Sequence, residues 1–489
     1  MLTRISFYFH LILAVGVLIL SSFSSVQAGN AIQNTVPGYN CYRDSATILE
    51  SMQTLVTEYP DLAQLSVIGN SWEGKPIHLL TLTNRSAAIA KPRLVIVSGL
   101  RANAFAPVEL SLRFAERLLS GYGAITENTW MLDQLELQMI VLANPDGRGR
   151  AEAQALDGIE ISWQNNTHNG CDSKENGVRL DGNFSFNWKA SAFGPCDPAY
   201  SGAAAGSEPE TQAIMNYLEE LGEQADPILL INLDNYKNQI LSPYLSDPTA
   251  DNPHLETLYT LAEKIGYNTL SAPIMQGDVS NPVLFGTLVD YAYGEAGFPA
   301  LSFSMGDSMA GGYVSRCWYF EGYLLEKNIA ALVRALKLSP DPYHQAYGPE
   351  IGTLGADQGI NSVLIEGSAD DYTYWYENAD VHSQVESAWF SIDLPPWNPQ
   401  STLFPIPNLA RDEMREYLSY FSFEIDYSLL SAGEHRIYIQ TWDSAAGGQP
   451  SNPGLVSAVD ISVPYRLFFR WLLSGDFICL IIYYSLFLY

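Results

Sequence analysis

The run RLVIVS (Arg93–Ser98) is a continuous apolar strand. It leads through GLRANAFAPVE (Gly99–Glu109) into a helical pattern. A strand without a polar face has to be covered on both sides, which calls for a layered α/β fold. The same kind of run recurs in LELQMIVLANPDG (135–147), PILLINLDNY (227–236) and FPALSFSMG (298–306). Helical patterns fall between and around these runs. SATILESMQTLVTEYP carries an apolar stripe of Ile48, Met52, Leu55 and Val56 and is stopped by Pro60. In AGSEPETQAIMNYLEEL, Ser207 and Glu210 have the spacing of a capping box. EGYLLEKNIAALVRALK (321–337) reads as a closing amphipathic helix. LSVIGNSWEGKPIHLLTLT (65–83) reads as a hairpin whose turn is SWEGKP, with His78 a structural residue on its second strand. Asn144-Pro145-Asp146-Gly147 reads as a turn closing its strand.

LSPDPYHQAYGPEIG (338–352) reads as a Pro/Gly-rich linker, and beyond it the period changes to two. FEIDYSLL, EHRIYIQTWD and GLVSAVDISV alternate as short strands, which predicts an immunoglobulin-like β-sandwich over 343–463. The expected domains are a signal peptide (1–28), an α/β domain (29–342), the β-sandwich (343–463) and an apolar tail (464–489). The signal peptide is read from Arg4, the apolar segment Leu11–Leu20 and the small-x-small site Val26-Gln27-Ala28. Export makes disulfides possible. Four of the five cysteines, Cys41, Cys171, Cys196 and Cys317, allow three connectivities, and Cys479 stands alone in the tail. That tail is read either as a membrane anchor, with membrane association through it, or as a truncated or out-of-frame end.

Lys and Arg number 25 against 54 Asp and Glu, a formal charge of -29, which excludes a nucleic-acid partner because phosphates would be repelled. The expected partner is a peptide, protein or cell-surface ligand.

Six ordered segments carry a resemblance: YPDLAQLSVIGNSWEGKPIHLLTL, GLRANAFAPVE, LQMIVLANPDG, GVRLDGNFSFNW, GPCDPAYSGAAAGSEPET and LVDYAYGEAGFPALSFSMG. Together they resemble the secreted zinc carboxypeptidases of the carboxypeptidase A/B type, over about Cys41 to Lys337. The resemblance implies a mixed sheet between helices. It also implies one zinc held by a His-x-x-Glu pair and a distant His, leaving an open position for the attacking water. A glutamate base and arginines for the oxyanion and the terminal carboxylate complete the family's site.

At the matching positions this sequence departs from that pattern. The first histidine and the glutamate ligand correspond to Arg101 and Ala104, with Asn103 between them, and the second histidine corresponds to Asp234 in Asp234-Asn235-Tyr236. The oxyanion arginine corresponds to Gln164 after Trp163, the carboxylate clamp to Asp181 and Gly182, and the general base to Ser304. The substrate-contacting tyrosine is matched by Tyr293. None of the seven histidines begins a His-x-x-Glu, and His168 is read as a solvated loop residue.

The expectation is therefore an exported pseudo-peptidase with a binding or scaffolding role and no cofactor, in which an Arg101–Asp234 ion pair stands where the metal stood. Three alternatives accompany it. One is an active metallocarboxypeptidase with a relocated metal site, another is a decayed reading frame with no selected role, and a third is a calcium site built from Asp181, Asp234 and Asp307. With Asp181 and Gly182 at the clamp, a terminal carboxylate is expected to meet repulsion, so a cationic or neutral ligand is favoured. The resemblance also implies a Cys171–Cys196 bridge and, with it, Cys41–Cys317.

Overall fold

The computed structural model describes residues 34–483 apart from 87–89, 169, 172–176, 192–193, 225, 236, 248, 275–283, 307–313, 372–383, 416, 444–450, 465–467 and 475–476. The signal-peptide segment, Asp307, Tyr236, His10 and His382 lie outside the described residues.

Strands β1 (Thr35–Val36) and β2 (Tyr39–Arg43) pair antiparallel ahead of the helix Ser45–Glu58. Asp44 caps that helix by accepting from Thr47 N at 2.8 Å, and Ile48, Met52 and Leu55 bury its apolar stripe. Then β3 (Ala63–Asn70), β4 (Pro76–Leu82), β5 (Arg93–Ser98), β6 (Glu136–Ile140), β7 (Ile228–Asn235), β8 (Gln239–Leu241), β9 (Ala272–Ile274) and β10 (Ala300–Met305) build one sheet in the order β3-β4-β6-β5-β7-β10-β8-β9. The central pairings β6–β5, β5–β7 and β7–β10 are parallel, whereas β3–β4, β4–β6 and β10–β8 are antiparallel, so the sheet is mixed.

Successive residues of the central strands feed two different cores. Leu94, Ile96, Leu229, Ile231, Leu301 and Phe303 join one apolar cluster, and Val95, Val97, Leu230 and Ala300 join the other. Helices Phe105–Gly121 and Leu325–Leu338 contribute to the first, and Pro209–Gly222 and Leu288–Gly294 to the second. Each such Leu, Ile, Val or Phe side chain contributes about 2 kcal/mol on burial, which is why these strands carry no alternation.

Two expected local details differ. Asn144-Pro145-Asp146-Gly147 opens the helix Pro145–Leu156, with Asn144 Oδ1 accepting from Gly147 N at 2.9 Å. The turn-forming residues are good helix-capping residues too, and the following sequence continues as a helix. Ser207 is not the cap of Pro209–Gly222. Its hydroxyl donates to Glu208 at 2.7 Å, and Glu210 accepts from Trp72 N of the β3–β4 turn at 3.0 Å. A tertiary partner takes the carboxylate that local spacing assigned to the helix.

The connection after Leu338 is packed rather than extended. It holds a short helix, Pro342–Gln345, and the buried Lys264 ammonium donates to the carbonyls of Gln345, at 2.8 Å, and Gly348. Strands β11 (Glu350–Gln358), β12 (Ser362–Asp370), β13 (Val385–Ile392), β14 (Phe404–Pro405), β15 (Leu409–Arg411), β16 (Leu418–Asp426), β17 (Gly433–Asp443) and β18 (Ser457–Val463) form two four-stranded sheets, ordered β11-β12-β16-β15 and β14-β13-β17-β18. Both sheets feed one apolar cluster, with Val363, Ile365 and Phe423 from the first and Ile437, Ile439 and Ile461 from the second. Arg436 Nη1 reaches Asp133 of the α/β block at 3.0 Å, and Lys337 Nζ donates to Ser457 at 3.0 Å.

In the tail the backbone pairs as an antiparallel hairpin, Phe468–Ser474 with Phe477–Tyr483. Among the described residues no helix is long and apolar enough to cross a membrane. Disulfides join Cys41 to Cys317 and Cys171 to Cys196, with Cα separations of 5.4 and 5.0 Å. The chain-entropy description of such links gives about 5.6 and about 3.5 kcal/mol for sequence separations of 276 and 25.

Candidate functional site

The sequential neighbours β5 and β6 pair on one side, while β7 pairs with β5 on the other, so the chain diverges at the carboxyl end of β5. Crevices of α/β sheets open at such points. Gly99 makes the exit from β5 at φ +72, where a Cβ would lie 2.9 Å from Val108. The loop is then tied down along its length. Asn144 Nδ2 donates to Leu100 O at 3.1 Å, Ala102 N to Gln164 O at 2.9 Å, and Asn235 Nδ2 to Asn103 O at 3.0 Å.

From this loop the Arg101 guanidinium reaches two carboxylates. Nη2 lies 2.7 Å from Asp181 Oδ2 and Nε lies 3.1 Å from Asp234 Oδ2, while Nη1 is 3.5 Å from Gln164 Oε1. The three charged side chains are 22%, 15% and 17% exposed, so solvent screens them only partly. Asp234 lies near the end of β7, and Asp181 sits in the short turn Leu180–Gly182. Burial and the neighbouring Asp181 raise the Asp234 carboxyl, against the pull of Arg101. At Asp181 burial also favours the neutral acid, but Arg101 and Arg179 together outweigh it and hold the carboxyl below its ordinary value.

Arg179 is the residue that reading by matched positions missed. Its Nε lies 3.2 Å from Asp181 Oδ1, so Asp181 is bridged by two guanidinia. A Cβ built on Gly182 would come within 2.5 Å of Arg179 Nη2, so the guanidinium occupies the space a side chain at 182 would need. The usable signal was an arginine three residues before a bare glycine, on the same tight turn. The Asp181 charge is thus met by a guanidinium on each side.

The other sequence-derived residues distribute around this cluster. Ala104 is buried and leads into the helix Phe105–Gly121. Ser304, buried on β10, stands in register with Asp234 on β7. Asn103 is fully buried, and among the described residues neither atom of its side-chain amide has a hydrogen-bond partner. Tyr293 packs elsewhere: its hydroxyl donates to Asn252 at 2.7 Å and its ring meets Tyr244 edge-on at 5.3 Å. His168 is more than a solvated loop residue. Nδ1 lies 2.8 Å from the buried Glu208 carboxylate and the ring stacks on Trp72 at 3.5 Å. Among the described residues no group of three or more His, Cys, Asp or Glu side chains gathers as a metal site.

The family profile described as zinc carboxypeptidase (Peptidase_M14) matches residues 48–328, more than half of the chain. The chain belongs to the zinc carboxypeptidase family. Relatives include the inactive metallocarboxypeptidase ECM14 of Ajellomyces capsulatus, 29% identical over 228 residues that cover 45% of this chain and 37% of that protein. Carboxypeptidase A1 of Rattus norvegicus is 23% identical over 282 residues, covering 56% of this chain and 65% of its own length. The match thus spans less than two thirds of either relative. Among solved structures, bovine thrombin-activatable fibrinolysis inhibitor in complex with tick carboxypeptidase inhibitor aligns with a TM-score of 0.53 at 19% identity, over 61% of this chain and 97% of that one. Carboxypeptidase A from Helicoverpa armigera aligns with a TM-score of 0.53 at 18% identity, over 61% of this chain and 74% of that one. These likenesses establish the carboxypeptidase-like α/β fold.

Proposed function

We propose that this chain is an exported, catalytically inactive metallocarboxypeptidase-like protein whose role is binding or scaffolding. The observation that carries this reading is the Arg101 guanidinium lying between Asp181 and Asp234. It issues from the loop position that the family resemblance assigns to the first zinc ligand. The residues there do not fit a zinc ion. A guanidinium has no lone pair to donate and brings a like charge, Ala104 offers no donor atom, and Asp234 is already engaged by Arg101. The chain Arg179–Asp181–Arg101–Asp234 pairs two cations with two carboxylates and fills the crevice with matched charge. Gln164 and Ser304, at the oxyanion and base positions, carry neither a charge nor a carboxylate. ECM14 relatives are themselves described as inactive.

Two disulfides support export to a periplasmic or extracellular compartment, where such bridges persist. The C-terminal strand orders β11-β12-β16-β15 and β14-β13-β17-β18 correspond to an A-B-E-D sheet facing a C′-C-F-G sheet, which supports an immunoglobulin-like sandwich as the second domain. Its ligand is a peptide, a protein or a cell-surface group, and any membrane association runs through the tail.

Metal analysis and peptide hydrolysis on the purified chain test the central claim together. The expected outcome is no stoichiometric zinc and no turnover of peptides with free C-termini, with or without added zinc. Bound zinc with turnover that Asp234→Ala abolishes would overturn it and establish the alternative, an active carboxypeptidase with a relocated metal.

A further inference from the structure

A second cavity, of about 300 Å³, opens between the helix Ser45–Glu58, the start of β4 and the helix Pro145–Leu156. None of Arg101, Gln164, Arg179, Asp181 or Asp234 lines it. Its floor and walls are apolar, formed by Ile48, Leu49, Met52, Pro76 and Leu142. The charged groups at its rim are already engaged. Lys75 Nζ lies 3.1 Å from Asp146, while Glu152 Oε1 accepts from Ser45 N at 2.9 Å and from Arg148 Nε at 2.7 Å.

His78 is the exception. It is half-buried on β4, and among the described residues neither ring nitrogen has a hydrogen-bond partner. Burial lowers its pKa, so the ring is neutral near pH 7 and offers one donor and one acceptor. The sequence pattern assigned this histidine a packing role, but packing leaves its hydrogen-bonding capacity unused.

We propose that this cavity binds a small neutral molecule with an apolar ring system and a single N–H or hydroxyl group, of the indole or phenol class. The ring lies against Ile48, Met52 and Leu142, and the polar group bonds to His78. The volume is at the small end of ligand pockets, which suits one or two fused rings. Charged ligands are disfavoured because the rim ions are paired with one another and an added charge would be buried without a partner.

The test is calorimetric titration of the full chain with indole and with indene, which has nearly the same shape and a CH2 in place of the N–H. Wild type is expected to bind indole about fivefold more tightly than indene. His78→Phe is expected to erase that preference. Ala46→Trp, at an exposed helix position on the cavity mouth, is expected to abolish binding of both while leaving the melting temperature unchanged. Absence of indole binding, equal affinity for the two ligands in wild type, or undiminished binding in the folded Ala46→Trp variant would each overturn the proposal.

Discussion

Around Glu210 buried carboxylates are met by backbone and amide donors, with His168 also on Glu208 and Lys75 also on Asp146, whereas around Asp181 and Asp234 they are met mainly by guanidinia. In the first region Glu210 accepts from Trp72 N at 3.0 Å and lies 3.3 Å from Asn166 Nδ2, which also bonds Glu208 at 2.9 Å. Asp146 accepts from Glu73 N at 2.8 Å. These bonds stitch the β3–β4 turn, the 165–178 loop and two helix starts into one piece. In the second region the decisive contacts run from side chain to side chain, Arg179 to Asp181 to Arg101 to Asp234. Removing a member of the first network leaves backbone donors without their acceptor. Removing a member of the second leaves a charge that a second substitution can cancel. The contrast separates what holds the scaffold from what defines the crevice.

The largest expected effect tests the scaffold side. Glu210→Leu should cost about 3 kcal/mol in urea unfolding, because Trp72 N and Asn166 lose a buried acceptor. A loss below about 1 kcal/mol would erase the contrast. Arg101→Met should cost about 2 kcal/mol by leaving Asp181 and Asp234 without their shared cation, and adding Asp234→Asn should recover about half of it. Strict additivity of the two substitutions would show that the cluster is not coupled.

The two carboxylates should then differ in the sign of their pH dependence. Asp181 is held below its unfolded value, so its stabilisation is present above about pH 4 and is lost as pH falls through the folded pKa. Asp181→Asn should therefore cost stability at pH 7 and progressively less in acid. Asp234 is raised, so its contribution is present in acid and is lost as pH rises from about 4 through the folded pKa. Asp234→Asn should remove that loss and flatten the profile. Paired unfolding titrations from pH 3 to about pH 7 check both signs, and a common sign would refute the assignment. The smallest effect is at Asn103. Replacing its unpartnered amide with Leu should stabilise the fold by about 1 kcal/mol, and destabilisation instead would mean that ordered water serves the amide.

Much of the architecture was legible because it rests on periodicity. RLVIVS and PILLINLDNY carry unbroken apolar runs, Leu94–Val97 and Ile228–Ile231, and both strands prove to be covered on two faces. The hairpin around SWEGKP and the period-two strands after residue 350 were readable for the same reason. The misreadings fall where a side chain had both a local and a distant option. Ser207 and Glu210 have capping-box spacing, yet Glu210 is taken by Trp72. Asn144-Pro145-Asp146-Gly147 suits a turn and a helix start equally, and the residues beyond it continue the helix.

The crevice around Arg101 divides in the same way. The sequence by itself placed the chain with the zinc carboxypeptidases, because motif order survives without coordinates, and it raised the expectation that Arg101, Gln164, Asp181 and Asp234 match the family's site positions. Only the tertiary structure decided that Asp181 also meets Arg101, that Arg179 fills the space above Gly182, and that Tyr293 turns to Asn252. Ion pairing acts over a few ångströms between residues 133 positions apart at Arg101 and Asp234, and no spacing rule along the chain encodes such a distance.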